Sequence, residues 1–272
     1  MSSGSDLSRL RLSHLLVAAL VALLLLRLFS AIFAGAGAGA GIPAGPGAGE
    51  ADEVYGEDSL PVLQVSFLLL AQNAIVLGVL LVLLRTRGIP LAALGLRAVS
   101  ARVAWREVGF ALLLIPFFAM LNFLFLVFYA RYFGGEIESS QLPLLLSGRS
   151  TPFADALFFA AAAGIAPVVE ELTFRGLIFS WAATRVTVRT AAFASALIFA
   201  VVHLPPGIMP LMFVFGLIMV WRYLVTGSLW GPILVHVVFN GVNVWLFYVL
   251  REVVAAGGIP AATIMTMTGA WH

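Results

Sequence analysis

Cysteine and lysine are both missing from this 272-residue chain, and charged residues of either sign make up only 10% of it. Without cysteine there are no disulfides, thiol nucleophiles or cysteine-ligated zinc sites, although the compartment stays open because oxidising compartments do not require cysteine. Without lysine, arginine is the sole basic side chain, with fifteen copies. Together with the alanine and glycine load, this reads as a coding bias to which no function is attached, and it inclines the assignment toward a prokaryotic inner membrane. The scarcity of charge says most. Soluble domains carry roughly 25% charged residues, whereas this chain is 62% hydrophobic with a mean hydropathy of +1.07. It reads as an integral membrane protein whose first partner is the lipid bilayer. A net charge of +2, with no basic run interleaved with aromatics, sets nucleic acid aside.

What is present is a series of apolar runs, several of them near the roughly 20 residues that a helix needs to cross a bilayer. They fall at 12–33, 61–84, 108–130, 153–169, 191–203, 208–224 and 229–250. The expected fold is all-α: a polytopic membrane helix bundle of about seven transmembrane helices, with broken helices lining a cytoplasm-facing cavity. The first run follows Arg9 and Arg11 and precedes the stretch AGAGAGAGIPAGPGAG, as a cleaved signal peptide would. Its length and the internal Arg27 favour an uncleaved helix. The Gly/Ala/Pro and acidic segment at 34–60 has no pattern that buries a core and reads as a flexible external loop. Residues 1–150 thus hold the first three helices, residues 151–250 the polar motifs described next, and residues 251–272 form a tail broken by glycines and Pro260.

The short connection after the second run carries Arg85, Arg87, Arg97, Arg102 and Arg106, while the 34–60 loop carries no arginine. By the positive-inside rule the N-terminus and the arginine-rich connection are cytoplasmic, and Arg185 and Arg189 agree. Residues 91–108 within that connection are amphipathic enough to lie on the membrane surface, with Trp105 at the interface.

Polar side chains inside spans are costly and usually paired or facing a wet cavity. The candidates are Arg27, Asn73, Asn122, Asp155, the Glu170, Glu171 and Arg175 group, His203, His236, Asn240 and Asn243. Glu171 and Arg175 are four apart and share a helix face, so they can pair, while Glu170 is turned about 100° away and has no partner in sequence. A carboxylate in a low-dielectric site is a better proton acceptor than one in water, which makes Glu170 the candidate base. His203 ends an apolar run just before Pro205, Pro206 and Gly207 break the helix. His236, Asn240 and Asn243 share one face of the last helix, with Asn243 expected only to hydrogen-bond between helices.

Such a set suits peptide hydrolysis: Glu170 takes a proton from water, His203 orients that water, and His236 with Asn240 donates to the oxyanion. Alternatively, Glu170, His203 and His236 form a two-histidine, one-carboxylate zinc site with an open position. That scheme leaves only Glu171 as base, and Glu171 is already tied to Arg175.

Three motifs carry a resemblance: Glu-Glu-x-x-x-Arg as Glu170, Glu171 and Arg175; Phe-x-x-x-His as Phe199 and His203; and His-x-x-x-Asn as His236 and Asn240. In this order, at membrane depth, they resemble the CPBP or Abi family of intramembrane proteases, which includes the Rce-type prenyl-protein (CAAX) endopeptidases. The resemblance covers roughly 153–250. It implies a membrane-anchored substrate, water activation by Glu170 with His203, oxyanion stabilisation by His236 and Asn240, and supporting roles for Glu171 and Arg175. The family is commonly labelled metalloprotease, with a metal-free glutamate mechanism as the competitor. Other readings are a non-enzymatic immunity or scaffold protein, a bis-histidine haem protein using His203 and His236, and a transporter, for which no internal repeat is visible. Counted from the cytoplasmic ends, His236 lies about 10 to 15 Å deep and His203 roughly 20 Å deep. Convergence therefore requires a tilted fifth helix or a fourth helix extended through Trp181.

Overall fold

The computed structural model describes residues 6–38, 61–133, 150–203 and 208–256. The acidic patch at 50–58, the Pro-Pro-Gly break after His203 and the tail beyond residue 256 lie outside the described residues. Within them all regular structure is helical: α1 (Leu12–Ala38), α2 (Pro61–Thr86), α3 (Ala101–Phe133), α4 (Pro152–Ala182), α5 (Val188–Val202), α6 (Met209–Thr226) and α7 (Trp230–Ala255). Five of these are long and apolar enough to cross a membrane, and the described parts of α1 and α5 add two shorter apolar helices. The chain is a multi-pass membrane protein built as a helical bundle.

Two boundaries differ from the sequence reading. Residues 91–108 do not form a surface helix of their own. A short 3₁₀ turn, Leu91–Leu94, is followed by an irregular stretch, and α3 begins at Ala101, so the exposed Trp105 sits in its second turn. The arginines at 102 and 106 interrupt hydropathy without interrupting the helix. The turn ends at Gly95, which has φ of 91°. A Cβ there would lie 2.2 Å from the Tyr223 hydroxyl oxygen, so both backbone and packing require glycine. Its carbonyl accepts from the Leu229 N–H at 2.9 Å, tying the connection between α2 and α3 to the α6–α7 turn.

The larger difference is α4, expected to end near residue 169. It continues to Ala182 as a 31-residue rod, about 46 Å long at 1.5 Å per residue, which exceeds the roughly 30 Å of hydrocarbon. Thr151 caps its start, with Pro152 in the first turn. The rod is not a uniform α-helix: π-helical turns at Ala160–Ile165 and Leu172–Phe179 flank the α-helical segment Ala166–Glu171. Pro167 accounts for the first, since a proline inside a helix lacks an N–H and its ring presses on the carbonyl four residues earlier.

One end of the bundle gathers the chain start and most of the arginines. Trp181 donates to the Leu10 carbonyl at 3.1 Å, and Arg185 donates to the carbonyls of Ser8 and Leu10. Leu7 and Leu10 are buried there against Leu94, Leu172 and Leu229. The centre is aromatic, with Phe118, Phe174, Phe199, Phe215 and Phe239 packed around Met219. At the far end Asp155 of α4 takes both guanidinium nitrogens of Arg251 from α7, at 2.9 and 2.6 Å, and the Tyr248 hydroxyl donates to the Asp155 carbonyl. Asp155, a candidate from sequence, is thus a tether between α4 and α7.

A second buried pair was not visible in the sequence as a pair. Glu107 of α3 accepts from Nε and Nη2 of Arg222 in α6 at 2.7 and 2.5 Å, with both side chains nearly inaccessible. The guanidinium lies 4.6 Å from the ring centroids of Phe110 and Trp221. Removing one partner of such a pair strands a buried charge, which costs about 3–5 kcal/mol, whereas replacing both with apolar groups is often neutral. Glu107→Ala or Arg222→Ala should therefore lower the unfolding free energy in detergent by about that amount. The double variant Glu107→Leu, Arg222→Met should recover most of the loss.

Candidate active site

Glu170 and Glu171 sit in the α-helical segment between the two π-helical turns of α4, at mid-bundle, with their side chains on different faces. Glu171 is fully buried. Its Oε1 accepts from Nη1 of Arg175 at 2.8 Å, as the spacing predicts, and also from Nδ1 of His236 in α7 at 2.9 Å. Arg175 passes the link on: its Nη2 donates to the Gly216 carbonyl of α6 at 3.0 Å, and its guanidinium lies 4.6 Å from the Phe199 ring centroid of α5. The pair expected to stabilise one helix therefore joins four. The histidine half of this arrangement left no mark in local spacing, because it connects residues 65 positions apart.

Glu170 points the other way and meets both histidines. Its Oε2 lies 3.7 Å from Nε2 of His203 and 3.7 Å from Nε2 of His236. The depths that disagreed on paper agree in space because α4 extends through Trp181 and α5 starts one connection later, which carries His203 to the level of Glu170. Gly176 marks the alignment at the arginine-rich end: its ideal Cβ would lie 3.2 Å from Leu94 and 3.3 Å from Leu229 at the head of α7.

The hydrogen bonds fix which ring nitrogens carry protons. Nδ1 of His203 lies 2.6 Å from the Phe199 carbonyl oxygen. A carbonyl only accepts, so Nδ1 carries the hydrogen, and Nε2 of the neutral ring presents a lone pair toward Glu170. Nδ1 of His236 likewise donates to the Glu171 carboxylate, so its Nε2 donates to a neighbour only when the ring is protonated. His203 is further set by Phe199, whose ring centroid is 4.2 Å away. His236 lies 4.9 Å from the Phe215 ring and is almost completely enclosed, whereas Glu170 and His203 are each about one-quarter exposed.

Asn240, one turn beyond His236, donates through Nδ2 to the Ala162 carbonyl of α4 at 3.1 Å. Other carbonyls in and around the π-helical turns also receive side-chain donors: Val169 from Thr173 at 2.8 Å, Phe174 from Ser195 of α5 at 3.0 Å, and Arg175 from Ser180 at 2.8 Å.

The remaining polar candidates stand apart from this group. Nδ2 of Asn73 donates within α2 to the Leu69 carbonyl, and Arg27 is exposed. Oδ1 of Asn122 and Nδ2 of Asn243 are buried without a hydrogen-bond partner among the described residues, so the interhelical bond expected of that Asn243 amide is not formed there.

For zinc, the donor types are suitable: two imidazole Nε2 lone pairs and a carboxylate, with each Nδ1 held by an acceptor. Yet among the described residues no three His, Asp or Glu side chains are arranged to hold a metal ion.

Beside the site, α4 residues 159–164 and α7 residues 237–242 enclose an apolar groove of about 330 Å³.

The multi-pass bundle thus brings a glutamate and two histidines together in its interior. Residues 152–242 match the family model described as type II CAAX prenyl endopeptidase Rce1-like. This segment includes Glu170, Glu171, Arg175, His203, His236 and Asn240, so the similarity to the Rce1-like family falls on the residues of the site. It is also similar to the membrane-embedded CAAX protease MroQ of Staphylococcus aureus (strain USA300), 30% identical over 145 residues that make up 51% of this chain and 56% of that protein. The chain thus spans about half the length of this curated relative. No solved structure matches the chain significantly.

The geometry predicts that sites 170 and 203 share one water-accessible space. Single cysteines placed there, in a chain that has none of its own, should react with a water-soluble maleimide from the same side of sealed vesicles. A cysteine at 171 should stay unreactive. Labelling of 170 and 203 from opposite sides would contradict the arrangement.

Proposed function

We propose that this protein is an intramembrane endopeptidase that hydrolyses a peptide bond in a membrane-anchored, CAAX-type substrate by means of glutamate-activated water. The observation that carries the reading is the position of Glu170 Oε2, 3.7 Å from Nε2 of both His203 and His236. A water placed between Glu170 and His203 would donate one hydrogen to the carboxylate and one to the Nε2 lone pair. Its oxygen would then be aimed at a substrate carbonyl.

Glu170 acts as general base for attack and afterwards delivers the proton to the leaving amine. Negative charge develops on the carbonyl oxygen. His236 in its protonated form donates to it from Nε2, with the imidazolium held by the Glu171 carboxylate behind it. Asn240 supplies the second donor through the Nδ2 hydrogen not used by Ala162. Glu171 and Arg175 are positioning residues that fix the ring of His236. Were zinc resident, Glu170, His203 and His236 would have to shift from the present arrangement to hold it, and it would supply Lewis-acid activation of water. The steps above use only the chain's own side chains.

The apolar groove is the natural seat for the substrate chain next to the scissile bond. From Val237 to Val242 it runs about 7.5 Å along α7, the length of about two extended residues at about 3.3 Å each. A helix is about 10–12 Å wide and would not fit, so the substrate is unwound there. Gly164 and Gly241 keep the groove open: a Cβ at Gly164 would meet nothing within 4 Å, and one at Gly241 would make ordinary contacts with Phe159 and Ala163. The arginine-rich end faces the cytoplasm of a prokaryotic inner membrane, placing the N-terminus inside.

The test is cleavage of a membrane-peptide library in proteoliposomes. Glu170→Gln and His203→Ala should each lower kcat by roughly 10²–10⁴-fold, and Asn240→Ala by about 10²–10³-fold. A chelator leaves the wild type active on the glutamate scheme and silences it if zinc is used. Gly241→Phe should reduce kcat/KM at least about tenfold for substrates with bulky aliphatic residues beside the cleaved bond, while sparing those with alanine there. Full activity of Glu170→Gln would overturn the reading.

A further inference from the structure

We infer that Pro167 is a positioning residue for Asn240, acting through a backbone carbonyl that it deprives of a partner. The inference rests on the proteolytic reading above for its functional meaning and on backbone geometry for its mechanism. In an α-helix the Ala162 carbonyl would accept from the N–H of residue 166, and in a π-helix from that of residue 167. Here the Ala166 N–H bonds to Ala161 instead, five residues back, and residue 167 is a proline with no N–H to give. Both intrahelical donors for the Ala162 carbonyl are therefore gone. Within hydrocarbon an unpaired carbonyl is strongly unfavourable, and Nδ2 of Asn240, reaching across from α7, fills the need at 3.1 Å.

The consequence is directional. An asparagine amide has two Nδ2 hydrogens in a fixed plane. Once one is held by Ala162, the orientation of the other is set, one turn along the same helix face from His236. The proline sits three residues before Glu170 and is buried, so a single residue both opens the π-helical turn ahead of the catalytic carboxylate and fixes the second oxyanion donor on the facing helix. Mid-helix proline is otherwise unfavourable. Its cost to the helix is offset by what it does for Asn240.

The experiment is a kinetic cycle on Pro167→Ala and Asn240→Ala in the full chain, paired with a spectroscopic readout independent of cleavage. Alanine returns the missing N–H, which competes for the carbonyl and releases the amide. Pro167→Ala should lower kcat by about 10²-fold with KM unchanged, as expected for misplacing a group that acts only in the transition state. Its midpoint of thermal unfolding should be unchanged or raised. Adding Asn240→Ala should cause little further loss, because both changes remove the same donor. A merely structural proline would give the opposite pattern: a lowered midpoint and losses that multiply.

In protein labelled with ¹⁵N-asparagine, the Asn240 side-chain signal, assigned by its loss in Asn240→Ala, should show one hydrogen exchanging with solvent at least tenfold more slowly than the other. The difference should collapse in Pro167→Ala. Equal exchange in the wild type overturns the inference even if Pro167→Ala fails to fold. Wild-type protein that cleaves nothing in the library but shows the asymmetric amide refutes proteolysis while upholding the link from Pro167 to Asn240.

Discussion

One buried oxygen, Oε1 of Glu171, sets the register of the helices around the site. It takes Arg175 from its own helix and His236 from α7, while Arg175 reaches the Gly216 carbonyl of α6 and the Phe199 ring of α5. In water such an ion pair would contribute little. Enclosed by apolar side chains, it becomes obligatory, because removing any member leaves a charge with no solvent to turn to. The same bonds orient His236, so what holds the bundle together also holds the ring that faces Glu170. Close helix contact allows this: an ideal Cβ at Gly216 would lie 3.0 Å from Ala196, and this near approach brings the Gly216 carbonyl within reach of Arg175.

A second constraint works through the backbone. Inside hydrocarbon every carbonyl needs a donor, and the π-helical turns in α4 change which donors are available. Side chains donate to the carbonyls of Ala162, Val169, Phe174 and Arg175. π-helical turns recur at functional sites, where a shift in register re-aims side chains. Here they flank the one α-helical segment that must direct two adjacent carboxylates in different directions, one into a sealed ion pair and the other toward a partly accessible cavity. The two glutamates are neighbours in sequence and meet opposite sides of the His236 ring, one sealed and the other about one-quarter exposed.

Much of this was legible in the residues themselves. Hydropathy gave the helical membrane class, and a 100° turn between neighbours separated Glu170 from Glu171. Three short motifs then marked the segment that the Rce1-like family model matches. Hydropathy alone stopped α4 short, because Glu170, Glu171 and Arg175 lower it over the second half although Glu171 and Arg175 are fully buried; only the depth mismatch of the histidines pointed to a helix extended through Trp181, as one of two alternatives. The Glu107–Arg222 pair was not legible, because its members lie at or near the ends of their apolar runs and meet only through folding. The share of Asn240 taken by Ala162 depends on Pro167, a residue that reads in sequence as nothing more than a helix breaker. In each case the missing information was a contact between helices, and periodicity within one helix cannot supply it.

The central claim is that Glu170 and His203 act on a single water molecule as one unit, and a double-mutant cycle tests it most directly. The quantity is kcat/KM for one cleaved membrane peptide, measured for wild type, Glu170→Gln, His203→Ala and the double variant. Groups that act as a unit are grossly non-additive. The account predicts that the double variant is no more than about threefold slower than the worse of the two single variants. Losses that multiply would show that the two residues work independently, and would contradict it.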